Sequence, residues 1–496
     1  MQSTVRADAH SAGGRDPGDL PHPSMSCCGP SRRTVLGAFG LAALLSTAGL
    51  PGGGRVTAQS GSIVATDLEV VTVTDTSAVL TWTSRGPDAA GRLVPVDTDG
   101  EVLLAPAGGP PLRQVWGSGA ATAFHYAEIS GLEPGRAYRF EARSAGVRAV
   151  PAVSAATGLP GTPETTGTFA TLVPPPGRLL RTLALANDIH YGETVSGLVV
   201  GELPPGFRQE PGLPPYPQVM LDALLDDLRR ADRGAEILLL AGDLSAEARP
   251  EELRAVRNRL DHWGNAGRDY LAVRGNHDRP HPGTDYTGCP VAPGTAAHHD
   301  CWSEVFGPRQ QLVEHELGGL RLLGLDTSAL DGAGGILDAP QLDHVSAVLH
   351  AEPDRPTIVF GHHPVTAESG ITNIGGPGFV LDRPSALRLQ HLYDTAPGVF
   401  LQHSGHTHRT RRTRPDTGCS VEFLEVAAVK EYPGGYGLLR IYEGGYTVNF
   451  YKTRTAAARR WSTLTRGEYF GLLPDYTLGT FADRNHVVLR DFSGLS

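Results

Sequence analysis

The sequence predicts an all-β domain followed by a larger α/β domain. Three observations carry this. Residues 62–172 show short alternating runs broken by turn residues, with no stretch of helical spacing. From Leu179 onward, apolar runs alternate with helical segments in βαβαβ order, the pattern of a doubly wound sheet. Five of those apolar runs end in short polar clusters: Asp188-Ile189-His190, Gly242-Asp243, Gly275-Asn276-His277-Asp278, Gly361-His362-His363-Pro364 and Gly405-His406-Thr407-His408. Ligands and metals gather at the carboxyl ends of strands in open α/β sheets. Five such ends bearing Asp, Asn or His therefore read as a metal site.

The totals narrow the class. A chain of 496 residues with 40% hydrophobic content supports two to three domains with sizeable cores. The net charge is −10, without a block of like charge, so no nucleic-acid partner and no anionic-membrane surface is expected. Lysine occurs only at Lys430 and Lys452, which reads as a compositional bias toward arginine. Of five cysteines, Cys27 and Cys28 precede a cleavage signal, and Cys289 and Cys301 lie twelve apart in one loop. They are placed to form a local disulfide in an oxidising compartment, with three unpaired thiols as the alternative.

Residues 1–58 read as a signal region. Ser31-Arg32-Arg33 precedes an apolar segment, Gly37 to Leu50, and Val56-Thr57-Ala58 forms a small-residue cleavage signal before Gln59. The paired arginines resemble a twin-arginine signal, with Met25 as the plausible start. The apolar run is shorter than the roughly 20 residues of a span. The expectation is export, to the outside or the cell envelope, with no transmembrane span in the mature chain; an uncleaved anchor is the alternative.

In residues 62–172, Leu68 to Val73 and Ser77 to Thr83 read as the opening strands. Trp82 and the run Leu132-Glu133-Pro134-Gly135-Arg136-Ala137-Tyr138-Arg139-Phe140 resemble a fibronectin type III domain. That resemblance implies a β-sandwich in which Trp82, Leu132 and Tyr138 are core, and it leaves cell-surface contact open as a use for the sandwich. Residues 173–178, with Pro174-Pro175-Pro176, read as a stiff linker.

The α/β domain spans 179–455. Leu179 to Ala186 reads as a central strand, and Asp188 and His190, two apart, are expected to face the same way as on a strand. The Pro- and Gly-rich stretch 191–217 is long for a connection and reads as a lid or specificity loop. Val219 to Arg230 has helical spacing; Glu236 to Leu240 is a buried strand ending in Gly242-Asp243. Pro250 to Trp263 is a helix with Glu251 and Glu252 in its first turn, and Tyr270 to Val273 is the next strand. Further on, Leu320 to Leu325 and Pro356 to Phe360 read as strands, and Asp338 to His350 and Pro384 to Tyr393 as helices. His298 and His299 in the long insert read as solvated loop residues. Val421 to Val429, Tyr436 to Tyr442 and Tyr446 to Tyr451 alternate like one antiparallel meander. Residues 456–496 form a C-terminal extension without a motif.

Taken together, D-x-H, GD, GNHD, GH and GHxH in this order resemble the calcineurin-like metallophosphoesterases over about Leu179 to Arg454. The long inserts and the signal look like those of secreted actinobacterial members. The resemblance implies an αββα sandwich and two divalent or trivalent metal ions, drawn from Mn, Fe, Zn or Mg. By motif, Asp188, His190, Asp243 and His408 hold one ion, and Asp243, Asn276, His362 and His406 the other. His363 is the fallback for His362, and His403 lies behind the cluster. The family places His277 by the leaving group as acid or charge stabiliser, with Asp278 orienting it and a loop cap as the plainer role for Asp278. Purple acid phosphatases carry a tyrosine where this chain has Ala246, so no iron–tyrosinate site is expected. The implied activity is hydrolysis of a small phosphate mono- or diester by a metal-bridging hydroxide. A secreted binding protein with an inactive phosphoesterase domain is the alternative, but such a chain would have lost a ligand and this one has not.

Overall fold

The computed structural model describes residues 63–152, 158–197, 206–279, 300–330, 332–468 and 474–495. The signal region, Cys289, His298 and His299 lie outside them, and with them the Cys289–Cys301 pairing. Cys301 is disulfide-bonded, and Cys419 is free and buried. No helix of the described residues is long and apolar enough to cross a membrane.

Among the described residues, nine strands build the N-terminal part: β1 (Val64–Val73), β2 (Ser77–Pro87), β3 (Leu93–Pro95), β4 (Gly100–Pro106), β5 (Arg113–Gly117), β6 (Phe124–Ser130), β7 (Ala137–Ser144), β8 (Val147–Arg148) and β9 (Thr168–Ala170). In one sheet β2 pairs with β1, β3 and β6; in the other the order is β5-β4-β7-β8, with β9 on β7. Val70, Leu80 and Trp82 from the first sheet meet Val102, Leu104, Tyr138 and Phe140 from the second in one core. Trp82, Leu132 and Tyr138 are buried there, and Trp82 Nε1 donates to Ser144 Oγ at 2.8 Å, satisfying the one polar atom of the ring.

The remaining strands are β10 (Leu179–Ala186), β11 (Ile237–Ala241), β12 (Tyr270–Val273), β13 (Val313–Leu317), β14 (Leu320–Leu325), β15 (Thr357–Gly361), β16 (Val399–Ser404), β17 (Arg411–Thr413), β18 (Glu422–Glu425), β19 (Gly435–Tyr442), β20 (Gly445–Lys452) and β21 (Asn485–Leu489). They form two six-stranded sheets, β12-β11-β10-β19-β20-β21 and β13-β14-β15-β16-β18-β17. The central strands are mainly apolar because both faces are covered. Leu183, Leu185, Ile237 and Leu239 point inward to meet Leu322, Ile358 and Leu401 of the facing sheet. Their neighbours Ala184, Ala186, Leu238 and Leu240 point outward against the helices Tyr216–Leu228, Pro250–Trp263 and Ala456–Thr465. Helices Ala339–Ala351 and Arg383–Asp394 cover the outer face of the second sheet through Leu342, Val345, Leu389 and Tyr393. The result is a four-layer α/β arrangement.

Two features differ from expectation. The segment 421–451 is not one meander: β18 runs parallel to β16 in the second sheet, while β19 and β20 form a hairpin in the first. Between them residues 426–434 cross from sheet to sheet past the ends of β10, where Val429 and Lys430 N–H groups donate to Asn187 and Asp188 carbonyls. The segment after residue 455, which carries no motif, supplies the helix Ala456–Thr465 and the edge strand β21, which pairs with β20.

The sandwich is also not held by its linker alone. Val71 of β1 belongs to the core between the two α/β sheets, and Val79 of β2 to the core under the helices. Asn485 Oδ1 accepts from Val73 N at 2.9 Å and Asn449 Nδ2 donates to Val73 O at 2.8 Å. Glu69 is buried at the centre of this seam. It accepts from Lys452 Nζ at 2.5 Å, Tyr432 OH at 2.6 Å and Arg466 Nε at 3.2 Å. One carboxylate thus serves two cations. Burial would raise its pKa, but Lys452 and Arg466 reverse this and hold it at about 2. Lys452, by contrast, is pushed down by its own burial, and Arg466 adds to this against the pull of Glu69.

Because the folded-state pKa of Glu69 is depressed, its contribution to stability is complete above the unfolded value, near 4.5, and fades as pH falls toward 2. The expected outcome is a loss of stability across that window that is smaller in Glu69→Gln, measured by urea unfolding at stepped pH. Equal pH slopes in both proteins would remove Glu69 from the account.

Candidate metal centre

All five polar clusters stand at one edge, where the parallel strands β10, β11, β12, β15 and β16 end. Asp188 and His190 do come together, but not by strand alternation. Both lie past the end of β10 with left-handed backbone, φ 53° and 48°. Asp243 (53°), His406 (67°) and His408 (51°) share that conformation. It is disfavoured for side-chain-bearing residues, and such strain concentrates at functional sites. Five strained residues on three strand ends aim their side chains into one buried space.

Two groups form there around a shared carboxylate. In one, His190 Nε2 lies 3.4 Å from Asp243 Oδ2 and 3.7 Å from Asp188 Oδ1, and His408 Nε2 lies 3.3 Å from Asp188 Oδ1. In the other, His362 Nε2 lies 3.1 Å from Asp243 Oδ2, 3.0 Å from Asn276 Oδ1 and 3.1 Å from His406 Nδ1. Asp188–His190–His408, Asp188–Asp243–His362 and His190–Asp243–His277 each bring their ligand atoms within 4.8 Å of one another. The donor set fits a cation. Asp188 Oδ1 and His190 Nε2 are buried without a hydrogen-bond partner, an expense that a metal removes. Burial alone would raise the carboxyls of Asp188 and Asp243, but His408 and His190, and His362 and His277, respectively, hold them well below the usual range.

The far nitrogens of the imidazoles show how the rings are aimed. His362 Nδ1 faces the Ala241 carbonyl at 2.8 Å, which can only accept, so the proton sits on Nδ1 and the Nε2 lone pair faces the cluster. His408 Nδ1 hydrogen-bonds Glu431 Oε1 at 2.8 Å, and His190 Nδ1 lies 3.0 Å from Glu193 Oε2, an ion-pair contact without hydrogen-bond geometry. Such outer partners orient ligating histidines and raise their basicity. Between the two carboxylates lies Lys430, whose Nζ is 2.7 and 2.8 Å from the Glu193 oxygens and 3.5 Å from Glu431 Oε2. Ser196 Oγ donates to Glu431 Oε2 at 2.7 Å. Glu468 faces the same group; burial, then the charge of Glu431, raises its carboxyl well above the ordinary value. None of these residues was singled out by sequence reasoning. Glu193 and Ser196 come from the loop read as a lid, and Lys430 and Glu431 from the sheet-to-sheet crossing. The scarcity of lysine was the one signal that could have marked Lys430.

Asp278 does not orient His277. Its carboxylate accepts from Ser245 Oγ at 2.6 Å and from the N–H groups of Ser245, Leu244 and Gly275 at 2.8, 3.0 and 3.1 Å. The short turn Asn276–Asp278 folds the carboxylate back onto the loop after β11, so it is a loop cap. Burial and the charge of Asp243 push it up to about 6. His277 Nδ1 instead meets the Ala246 carbonyl at 2.7 Å, and its backbone N–H donates to Asp243 Oδ1 at 2.8 Å. Its ring stands 4.4 Å from that of His190, at the rim of the cluster. Burial, with help from His190, lowers the imidazole to about 4.

His363 stands beside His406, ring centroids 4.7 Å apart, and forms with His362 and His406 a further group whose ligand atoms lie within 4.8 Å of one another. Its Nδ1 lies 2.7 Å from Thr327 Oγ1 and its Nε2 3.1 Å from the Ala333 carbonyl, so both nitrogens are engaged and His362 is left as the ligand. His403, on β16, is buried beneath the cluster.

Gly242 explains the glycine of the GD pair. Its φ is +86°, and a Cβ there would lie 2.7 Å from His362 Nδ1 and 2.8 Å from Gly275 Cα. Gly242→Ala is therefore expected to displace His362, lower the melting temperature and reduce bound metal, read by thermal unfolding and elemental analysis on one sample. Unchanged metal content would show that this close approach is not needed.

Comparison with known proteins agrees with this geometry. Residues 181–410 match the calcineurin-like phosphoesterase family. A probable cyclic nucleotide phosphodiesterase from a Synechococcus species is 26% identical over 217 residues, 43% of this chain and 74% of that protein. Among solved structures, a purple acid phosphatase from yellow lupin (Lupinus luteus) seeds is 14% identical, covering 79% of this chain and 72% of that one, with a TM-score of 0.38. A dimetal phosphatase from Danio rerio is also 14% identical, covering 56% and 98% of the two chains, with a TM-score of 0.41. The five strand-end clusters all fall within residues 181–410, the stretch that matches the calcineurin-like phosphoesterase family.

Proposed function

We propose that this protein is an exported, metal-dependent phosphoesterase that hydrolyses phosphate mono- or diesters at a centre of two cations. The observation that carries the reading is Asp243 Oδ2, which lies between His190 and His362 and so belongs to both ligand groups. Asp188, His190, His408 and Asp243 would hold one cation; Asp243, Asn276, His362 and His406 would hold the other. When bound, such a pair supplies charge to hold phosphoryl oxygens and a water acidified toward neutral pH. The chain's own contribution is to fix the ligands by strained strand ends and outer carboxylates, and to present His277 at the rim. His277, whose ring lies 4.4 Å from that of His190, would hydrogen-bond the departing oxygen. Export is supported by the paired arginines, the short apolar run and the small-residue site before Gln59. The likeness to a probable cyclic nucleotide phosphodiesterase makes phosphodiesters the first substrates to try.

The test is hydrolysis of p-nitrophenyl phosphate and bis-p-nitrophenyl phosphate by the mature protein, metal-free and with Mn, Fe, Zn, Mg or Ca. Metal-dependent turnover is expected, and the preferred ester assigns the class. No turnover with any metal, in a protein that also binds none, would favour the binding-protein alternative.

A further inference from the structure

We infer that Lys430 is a positioning residue for the cation held by Asp188, His190 and His408, acting as a clamp between the two carboxylates behind those histidines. The inference rests on the reading of a two-cation centre, but it concerns only one of the two positions.

The geometry is asymmetric. At the first position each histidine has an anionic partner on its far nitrogen: Glu193 at 3.0 Å from His190 and Glu431 at 2.8 Å from His408. At the second position His362 has a neutral backbone carbonyl, and His406 has the ring of Phe379 stacked 4.9 Å away. Two buried carboxylates side by side repel each other and need a counter-charge. Lys430 supplies it, as a compact ammonium with three donors. It contacts both Glu193 oxygens within 2.8 Å and Glu431 at 3.5 Å.

The clamp is itself fixed. Lys430 N–H donates to the Asp188 carbonyl at 3.2 Å, and its own carbonyl accepts from Trp461 Nε1 at 2.7 Å. Trp461 stacks on Tyr216, with ring centroids 4.1 Å apart. The crossing segment therefore ties the backbone of one ligand, Asp188, to the orienting groups of the other two. Without Lys430 the carboxylates part, and the two imidazoles lose their aim. A bystander charge would behave in the opposite way: removing a nearby positive charge would tighten cation binding.

The test is calorimetric titration of the metal-stripped full chain with Mn(II), with far-UV circular dichroism as the fold check. Wild type is expected to show two binding steps. Lys430→Met should weaken one step by about ten- to a hundredfold, the usual effect of losing an outer partner, and leave the other unchanged. Glu431→Gln, which keeps shape and loses charge, should weaken the same step, and serves if Lys430→Met does not fold. Asn276→Ala should weaken the other step. Tighter binding in Lys430→Met, equal weakening of both steps, no change in either, or weakening of the step that Asn276→Ala affects would overturn the clamp. A wild type with a single step, lowered by Lys430→Met and not by Asn276→Ala, would sink the two-cation reading and keep the clamp. No Mn(II) step at all would overturn both.

Discussion

Asp243→Asn should abolish turnover and weaken both cation positions together. The loss in rate is expected to be at least on the order of a thousandfold, because in the proposed two-cation centre this carboxylate would belong to both ligand sets and carry their charge and spacing. Asp243 Oδ2 is within 3.4 Å of His190 Nε2 and 3.1 Å of His362 Nε2, so it belongs to both ligand groups. The substitution is gentle elsewhere. Oδ1, which accepts from the His277 N–H, can still be an oxygen in asparagine, so the loop need not collapse. Elemental analysis beside hydrolysis assays checks the result. A variant that keeps wild-type metal content and rate would show that Asp243 is not shared.

Glu69→Ala should cost about 3–5 kcal/mol of stability, because it leaves buried cations without their counter-ion. Lys452 and Arg466 both converge on Glu69, and Tyr432 and Thr81 donate to it as well. An exposed pair gives the contrast. Arg388 and Asp343 also lie close, at 2.6 Å, but both are half exposed, so Arg388→Ala should change stability by less than about 1 kcal/mol. Urea unfolding of the three proteins settles the comparison. A change in Glu69→Ala as small as that in Arg388→Ala would mean that the seam does not depend on this carboxylate.

Much of the site was legible because its chemistry is local. Each ligand follows an apolar run, and glycines such as Gly242 mark where backbone must approach backbone. What was not legible is what depends on distant partners. Alternation in 421–451 looks the same whichever sheet receives it, so the division between β18 and the β19–β20 hairpin leaves no trace in the pattern. The left-handed backbone of Asp188 and His190 is imposed by the fold, while their spacing suggested ordinary strand geometry. Glu193 and Glu431 reach the histidines from segments 238 positions apart, and no periodicity marks a residue whose task is to stand behind another. Asp278 shows the reverse error: the family resemblance implied that it orients His277, yet its carboxylate is held by the loop after β11 while His277 Nδ1 meets the Ala246 carbonyl.

The seam around Glu69 also bears on how such a chain can be recombined. A proline-rich stretch between two domains invites exchange of one for another by a cut at the prolines. Here the natural boundary is elsewhere, because Glu69, Val71 and Val79 complete cores and ion pairs that belong to the phosphoesterase side. A transplanted sandwich would need to bring equivalents of these residues at matching register. A phosphoesterase domain expressed from residue 179 would present Lys452, Arg466 and the open edge of its core to water. The two parts share cores across the seam, so they are expected to unfold together, whatever the linker between them suggests.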